Sequence, residues 1–253
     1  MGFLHIMRRR KIMKQKITIT FLLLTFFLLL SFSAYADSSQ GIGATSGTCG
    51  SKLTWTLSDS GVLTISGTGA MSNYNSSTGT PWETRKASIV SAVVNNGVSS
   101  IGDCAFYSCS NLASVSLPSG LKTIGSSAFY DCDALVSISL PSGLTSLGNS
   151  AFSSCNKLKT VNLPSTLATI GEYAFRYCGA LTNITLPDSV STIRDCAFSR
   201  TNLSTIVMPD SLTQVGNSVF EGCANLSSII WSGSLANIPT GNTAQKMSSA
   251  EAD

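Results

Sequence analysis

The sequence predicts a β-rich solenoid, a stack of similar turns, closed at its N-terminal end by a β-hairpin. Two segments that nearly coincide, SLPSGLKTIGSSAFYDC from Ser116 and SLPSGLTSLGNSAFSSC from Ser139, begin 23 residues apart. The chain is also poor in charge, with 11% charged residues, as repetitive β-rich proteins often are. A period of about 20 to 50 residues is typical of architectures in which each unit buries the flanks of its neighbours.

Two residue pairs mark the period along the chain. Phenylalanine recurs every 23 residues, with a final interval of 22, at Phe106, Phe129, Phe152, Phe175, Phe198 and Phe220. An apolar residue precedes proline with the same spacing, at Leu117, Leu140, Leu163, Leu186 and Met208. The shortening lies between Phe198 and Leu203, where SRTNL replaces a pattern such as RYCGAL.

Each unit is interpreted from its own residues, for example 112–134. LASVSL alternates apolar and polar residues and predicts a short strand. Pro118 ends the strand because it has no backbone donor. Leucine and isoleucine in GLKTIG point inward again, and Ala128-Phe129 is expected on a short helical or 3-10 turn on the convex side.

The motif LxxVxLPxxLxxIGxxAFxxC resembles the BspA-like leucine-rich repeats of bacterial and some protist surface proteins. The resemblance covers residues 89–238, about six and a half repeats, and implies a leucine-rich-repeat solenoid. The stretch CGSKLTWTLSDSGVLTISGTGAMSNY from Cys49 also resembles the segment before the repeats in that family. The resemblance implies a surface antigen that adheres to host matrix proteins or to other cells.

Residues 37–88 are predicted to form a linker and the hairpin cap. Leu53, Trp55 and Leu57 alternate with polar residues, Asp59-Ser60-Gly61 makes a turn, and the alternation then returns. Trp82 is expected to pack under this hairpin. At the other end, residues 239–253 are polar and are predicted to be a disordered tail, without a second membrane span or a wall-sorting motif.

Residues 1–36 have the order of a secretory signal peptide. A basic stretch precedes an apolar run that includes FLLLTFFLLL, and Ala34-Tyr35-Ala36 precedes Asp37, which predicts cleavage between Ala36 and Asp37. The alternative is an uncleaved membrane anchor, the one contact with a membrane that the sequence suggests. We expect a secreted or cell-surface protein.

Cleavage would leave 10 basic and 13 acidic residues, a net charge of −3, and would remove His5, the single histidine. Such a chain offers no basic patch for nucleic acid. Without histidine it lacks Ser-His and Cys-His nucleophile pairs and histidine metal ligands, so we expect no enzyme, no metal and no cofactor. Paired carboxylates for glycoside hydrolysis remain an open alternative.

Five cysteines follow the repeat phenylalanine by three residues: Cys109, Cys132, Cys155, Cys178 and Cys223. They are interpreted as small buried side chains; disulfides or a metal ladder between turns are the alternatives. Cys104 and Cys196 stand outside this series, and a Cys49–Cys104 or Cys104–Cys109 disulfide stays open in an oxidising compartment.

The outward residues of each LxxVxL strand predict a binding surface on the concave side. They form two columns of small hydroxyl and amide groups, which include Ser114, Ser116, Ser137, Ser139, Thr160, Asn162, Asn183 and Thr185. A second patch is expected on the convex side, with Tyr107, Tyr130, Arg176 and Tyr177. The columns are interpreted as a surface for an extracellular matrix protein, a cell-surface protein or a glycan. The alternatives are an ordinary solvent-exposed sheet surface without a ligand, and a module that self-associates at its C-terminal edge.

Overall fold

The computed structural model describes residues 45–76 and 79–231 and confirms a β-solenoid of about six turns. The predicted signal peptide with its cleavage site, the linker up to residue 44, the end of the last repeat at 232–238 and the tail at 239–253 lie outside the described residues. Among the described segments, no helix is long and apolar enough to cross a membrane.

Sixteen short strands and one 3-10 helix make up the described chain. The strands are β1 (Thr45–Gly50), β2 (Leu53–Leu57), β3 (Val62–Gly67), β4 (Gly69–Ala70), β5 (Ser91–Val94), β6 (Val98–Ile101), β7 (Ser114–Ser116), β8 (Thr123–Ile124), β9 (Ser137–Ser139), β10 (Ser146–Leu147), β11 (Thr160–Asn162), β12 (Thr169–Ile170), β13 (Thr192–Ile193), β14 (Thr205–Met208), β15 (Gln214–Val215) and β16 (Ser228–Trp231). The 3-10 helix spans Glu83–Ser88, between the cap and the first repeat.

The strands form two layers. The layer of LxxVxL strands, here called the strand face, has three hydrogen-bonded pieces: β1-β2-β3-β5-β7, β9-β11 and β14-β16. The second sheet is continuous and parallel, in the order β15-β13-β12-β10-β8-β6-β4. Apart from β4, these strands come from the part of the repeat that corresponds to TIG. The sequence did not predict them, because two residues carry too little alternation to reveal a strand.

A third side of the solenoid consists of turns around each Ala-Phe pair. In five successive turns, the N–H groups of the phenylalanine, of the residue two before it and of the residue two after it donate to carbonyls of the following turn, at 2.7–3.0 Å. In one turn, Ser127 donates to Asn149, Phe129 to Ala151 and Asp131 to Ser153. We call this set of bonds the turn ladder.

The turn ladder requires left-handed backbone at two non-glycine residues per turn. Ser127 and Asp131 flank Ala128-Phe129 with φ of 53° and 57°, and the other four turns of the ladder repeat the pattern. Bonds of the i to i+3 type follow each other here, as expected for 3-10 turns, for example from Tyr130 N–H to Ser127 C=O at 3.2 Å. They do not continue into a helix because the left-handed residues interrupt it.

The core is a column of phenylalanine rings inside the turns. Neighbouring rings from Phe106 to Phe220 lie 5.0–5.8 Å apart between centroids and within 9° of parallel. Five of the six are fully buried, and Phe220 is partly buried against the core. The leucine, isoleucine and valine residues of both sheets pack around this column.

The N-terminal cap contains the predicted hairpin. β2 and β3 pair antiparallel with Trp55 opposite Ile65, and β1 adds a third antiparallel strand that the sequence analysis did not predict. β3 then pairs parallel with β5, so that the cap sheet continues directly into the repeats. Trp82 packs under the hairpin as expected, edge-on to Trp55 at 5.6 Å.

Trp82 also takes the place of a missing turn. Its indole Nε1–H donates to the Ala105 carbonyl at 3.0 Å, as the Phe106 N–H donates to the Ala128 carbonyl one turn later. The Tyr74 N–H donates to the Asp103 carbonyl at 2.9 Å, as the Cys104 N–H donates to the Ser126 carbonyl one turn later. The cap therefore supplies two of the three donors that a preceding turn would provide.

We predict that Trp82→Phe lowers the free energy of unfolding by about 1–3 kcal/mol more than Trp55→Phe, measured by urea denaturation. Trp82→Phe leaves the buried Ala105 carbonyl without its donor. Trp55→Phe is the matched control, because Trp55 Nε1 is buried and has no hydrogen-bond partner within the described chain. Equal losses for the two variants would contradict the assigned role of Trp82.

Candidate binding surface

The strand face presents the two predicted columns to solvent. Ser114, Ser116, Ser137, Ser139, Thr160 and Asn162 are exposed, and each flanks an inward Val115, Ile138 or Val161. The pairing of β9 with β11 puts Ser137 beside Thr160 and Ser139 beside Asn162. Small hydroxyl and amide groups thus lie in register on adjacent turns.

Asn183 and Thr185 are exposed as predicted, but residues 181–187 do not form a strand. The expectation that every outward pair lies on a strand was wrong at this turn. The interruption precedes the shortened repeat, in which the loop from Phe198 to β14 has one residue fewer than its counterparts. β14 pairs with β16, while the Ser204 N–H just before it donates to the Thr182 carbonyl of the preceding turn at 3.2 Å.

The columns change character at β14 and β16. Val207 and Ile230 occupy the positions that Ser116 and Ser139 hold earlier in the chain, and each is 47% exposed. They are partners in the parallel pairing of the two strands. The strand face is therefore polar over its middle turns and apolar at these last two described strands.

The repeat cysteines are buried, as interpreted, and also form hydrogen bonds. The thiols of Cys132, Cys155, Cys178 and Cys223 donate to the phenylalanine carbonyl of the preceding turn at 3.0–3.2 Å. Thr201 replaces cysteine in the shortened turn, where its hydroxyl donates to Phe198 at 2.8 Å. All eight cysteines are free and fall within the described segments.

Burial raises the pKa of four of the repeat thiols and so keeps them protonated. It raises the pKa of Cys109 and of Cys155 to about 12, and that of Cys132 and Cys178 well above its ordinary value. Within the described residues, no group of three or more cysteine, histidine, aspartate or glutamate side chains could hold a metal ion. Protonated, buried thiols are poor nucleophiles and poor ligands.

The predicted convex patch separates into two clusters. Tyr107 and Tyr130 stack at 4.9 Å, within 7° of parallel. Arg176 lies over the rings of Tyr173 and Tyr177, at 5.1 and 4.6 Å from their centroids. Tyr173 was absent from the predicted patch, although its position one residue before the repeat alanine is a turn position that the period reveals.

Comparison with known proteins gives a family and a set of related structures. The profile of the BspA type leucine-rich repeat region matches six copies over residues 84–199 and 150–248. A leucine-rich cell-surface protein from Faecalibacterium prausnitzii A2-165 is 26% identical with a TM-score of 0.60, covering 78% of this chain and 55% of that one. The chain thus spans about half the length of that protein.

The leucine-rich repeat protein of T. pallidum is 25% identical with a TM-score of 0.48, covering 81% of this chain and 84% of that one. No curated protein gave a match.

We predict that the protein loses stability as pH rises above about 9. The folded Cys155 thiol stays protonated up to about 12, whereas the unfolded thiol ionises near 9.0. The stability from this protonated thiol is therefore complete below pH 9 and is lost as pH approaches 12. At pH 10 the loss is about 1.4 kcal/mol for this thiol, measured by urea unfolding at pH 8 and 10.

The control for this prediction is Cys155→Thr, which introduces the residue that the chain already carries at the equivalent Thr201. The variant should show a shallower fall in stability between pH 8 and 10. An identical fall in both proteins would show that Cys155 does not titrate as described.

Proposed function

Because the chain belongs to the BspA type leucine-rich repeat family, we propose that it is a secreted or cell-surface binding protein of the adhesin type. In this proposal the solenoid recognises an extracellular matrix protein, a cell-surface protein or a glycan. The repeats of this family are generally binding scaffolds and not enzymes. The related F. prausnitzii structure is that of a cell-surface protein, which supports the same location for this chain.

The observation that carries the proposal is the pair of polar columns on the strand face. Ser137 beside Thr160 and Ser139 beside Asn162 give four exposed hydrogen-bonding groups on two adjacent strands. Ser114 and Ser116 on β7, and Asn183 and Thr185 further along, add the same kinds of group on other turns. Such a surface suits an extended or repetitive ligand, whose own groups recur at a regular spacing.

The composition of the columns indicates modest affinity at each contact. They lack the tryptophan, tyrosine and arginine side chains that dominate tight interfaces. Serine and threonine hydroxyls are hydrated in the free protein, so that each hydrogen bond to a ligand replaces one to water. Strong attachment would come from many copies that act together on one surface.

Self-association is the second candidate function, and the exposed Val207–Ile230 pair favours it. The two side chains adjoin across paired strands near the end of the described array, and both are unusually exposed for their size. A second copy of the chain could cover them. In this case the repeats would serve as a building block of an assembly.

The location depends on the predicted signal peptide. We propose cleavage after Ala36, so that the exported protein begins at Asp37. Intact mass and N-terminal sequencing of the protein recovered outside an expressing bacterium test this proposal. A protein that retains residues 1–36 in the membrane fraction would support the uncleaved anchor.

We predict saturable binding of the purified protein to at least one component of an array of matrix proteins and glycans. The double variant Ser137→Arg with Thr160→Arg should weaken this binding about tenfold or more, because two bulky charges then cover adjacent positions of the columns. Ser142→Arg with Ser165→Arg is the control. It adds the same charge at exposed turn positions outside the columns.

Light scattering in parallel separates the two candidates. Binding by a monomer, lost in the column variant and retained in the control, supports the adhesin-type function. Concentration-dependent oligomers that Ile230→Lys abolishes, and that Val136→Lys does not, support self-association. The absence of any saturable binding would contradict the adhesin-type proposal.

A further inference from the structure

A column of glycines runs along the second sheet, directly after its isoleucine, leucine or valine positions. Gly125, Gly148, Gly171 and Gly216 leave no room for a side chain, since a Cβ on any of them would approach backbone atoms of the preceding turn to within 2.4–2.6 Å. This explains the IG of the repeat motif. The turns approach each other so closely at these four glycines that a side chain on any of them would require the neighbouring backbone to shift.

Arg194 interrupts the glycine column. It stands 23 residues after Gly171 and 22 before Gly216, where the repeat otherwise has glycine. Its N–H still donates to the Ile170 carbonyl, at 3.1 Å, compared with 2.8–3.0 Å for Gly125, Gly148 and Gly216. The change from glycine to the largest basic side chain therefore occurs without loss of the stack.

A pocket of about 500 Å³ opens where the column is interrupted. Glu172, Arg194 and Asp195 contribute charged groups to its lining, and Thr192 and Gln214 contribute a hydroxyl and an amide from β13 and β15. Thr192 and Gln214 are register partners, with 3.5 Å between their side-chain oxygens. Hydrogen-bond donors and acceptors thus line one open pocket.

An aromatic and cationic cluster occupies the same two turns. Arg176 is held between Tyr173 and Tyr177, and Arg200 lies 5.5 Å from the Tyr177 ring centroid. Tyr173 follows Glu172 of the pocket directly, and neighbouring Cys196 and Glu172 raise the pKa of its hydroxyl. Arg176 Nε is buried and has no hydrogen-bond partner within the described part of the chain.

The charges of this region balance. Three arginines at 176, 194 and 200 stand among three carboxylates at 172, 195 and 221, and Arg176, Glu172, Asp195 and Glu221 all act on the thiol of Cys196 between them. The pocket lining itself holds one arginine and two carboxylates, and Arg176 and Arg200 lie on the adjoining turns, so that groups of both signs mix at this site. Such a mixture gives no strong preference to an anionic or a cationic ligand. Donors and acceptors beside tyrosine rings instead match a ligand with many hydroxyls and apolar ring faces.

We infer that the pocket at Arg194 is a binding site for a neutral glycan, separate from the columns of the strand face. Carboxylates of Glu172 and Asp195 would accept hydrogen bonds from sugar hydroxyls, Arg194 and Gln214 would donate, and Tyr173 would lie beside a sugar ring. The inference rests on the proposed role as a surface binding protein. It assigns that role a ligand class and a second position on the solenoid.

The test is isothermal titration of the full protein with neutral tetrasaccharides of glucose, galactose, mannose and N-acetylglucosamine. A sulfated tetrasaccharide and a poly-glutamate peptide represent the anionic alternatives. Arg194→Gly is the decisive variant: it restores the glycine found elsewhere in the column, so it should fold at least as well as the wild type. Glu172→Gln is a second variant that removes one charge at constant size. Ser146→Ala is the control. It changes the position that corresponds to Thr192 of the pocket, two turns away on the same sheet.

We expect at least one neutral tetrasaccharide to bind. Its affinity should fall by about tenfold or more in Arg194→Gly and in Glu172→Gln, and should be unchanged in Ser146→Ala. Unchanged affinity in Arg194→Gly, or binding of the anionic probes alone, would overturn the inference. So would the absence of binding to any neutral tetrasaccharide. Two results would overturn the inference and leave the proposed function standing. In the first, only the Ser137→Arg, Thr160→Arg variant loses sugar binding. In the second, matrix proteins bind and sugars do not. If no array component binds either, both fall.

Discussion

The stack depends on the turn ladder, in which each of five successive turns donates three backbone N–H groups to the next. Two of the three donors are left-handed residues, a conformation that costs about 1–2 kcal/mol per non-glycine residue. Neighbouring turns must therefore offset a local cost in every repeat, which one turn alone could not do. The arrangement also explains the interior, because it brings Phe106 to Phe220 into one parallel column. At the N-terminal end, Trp82 can replace a turn because its indole N–H reaches the same kind of carbonyl.

This division of roles leaves the outward side chains free to differ from turn to turn. The backbone and the buried residues carry the stack, so Ser137, Val207 or Arg194 can vary without altering it. The variation is not random along the solenoid, however. Polar columns occupy the middle of the strand face, an apolar pair follows at β14 and β16, and the glycine column of the second sheet is interrupted at one turn. These three places are where function can be sought on an otherwise repetitive surface.

Much of the fold could be predicted, since the 23-residue period fixes which residues stack and the LxxVxL alternation fixes which face inward. The hairpin at Leu53–Leu57 was visible for the same reason, because alternation and a turn are both local signals. The left-handed residues were not visible, since serine at 127 does not favour positive φ and a single aspartate at 131 is too weak a sign of it. The loss of the strand at Asn183 had no visible sign either, because Leu181, Ile184 and Leu186 keep the alternation of the regular strands. The pocket at Arg194 had a signal, a missing glycine in the aligned repeats, but which residues of the neighbouring turns line it follows only from the three-dimensional packing.

Hydrogen exchange of individual amides tests the central role of the turn ladder most directly. The account predicts that the amides of Phe129, Phe152 and Phe175, which donate to the next turn at 2.8 Å, exchange only through global unfolding. Their exchange free energies should equal the free energy of unfolding from urea denaturation and exceed those of the short strand pair β9–β11. Exchange of these three amides through local opening, faster than that of Ile138 and Val161, would show that the sheets and not the turns hold the solenoid together.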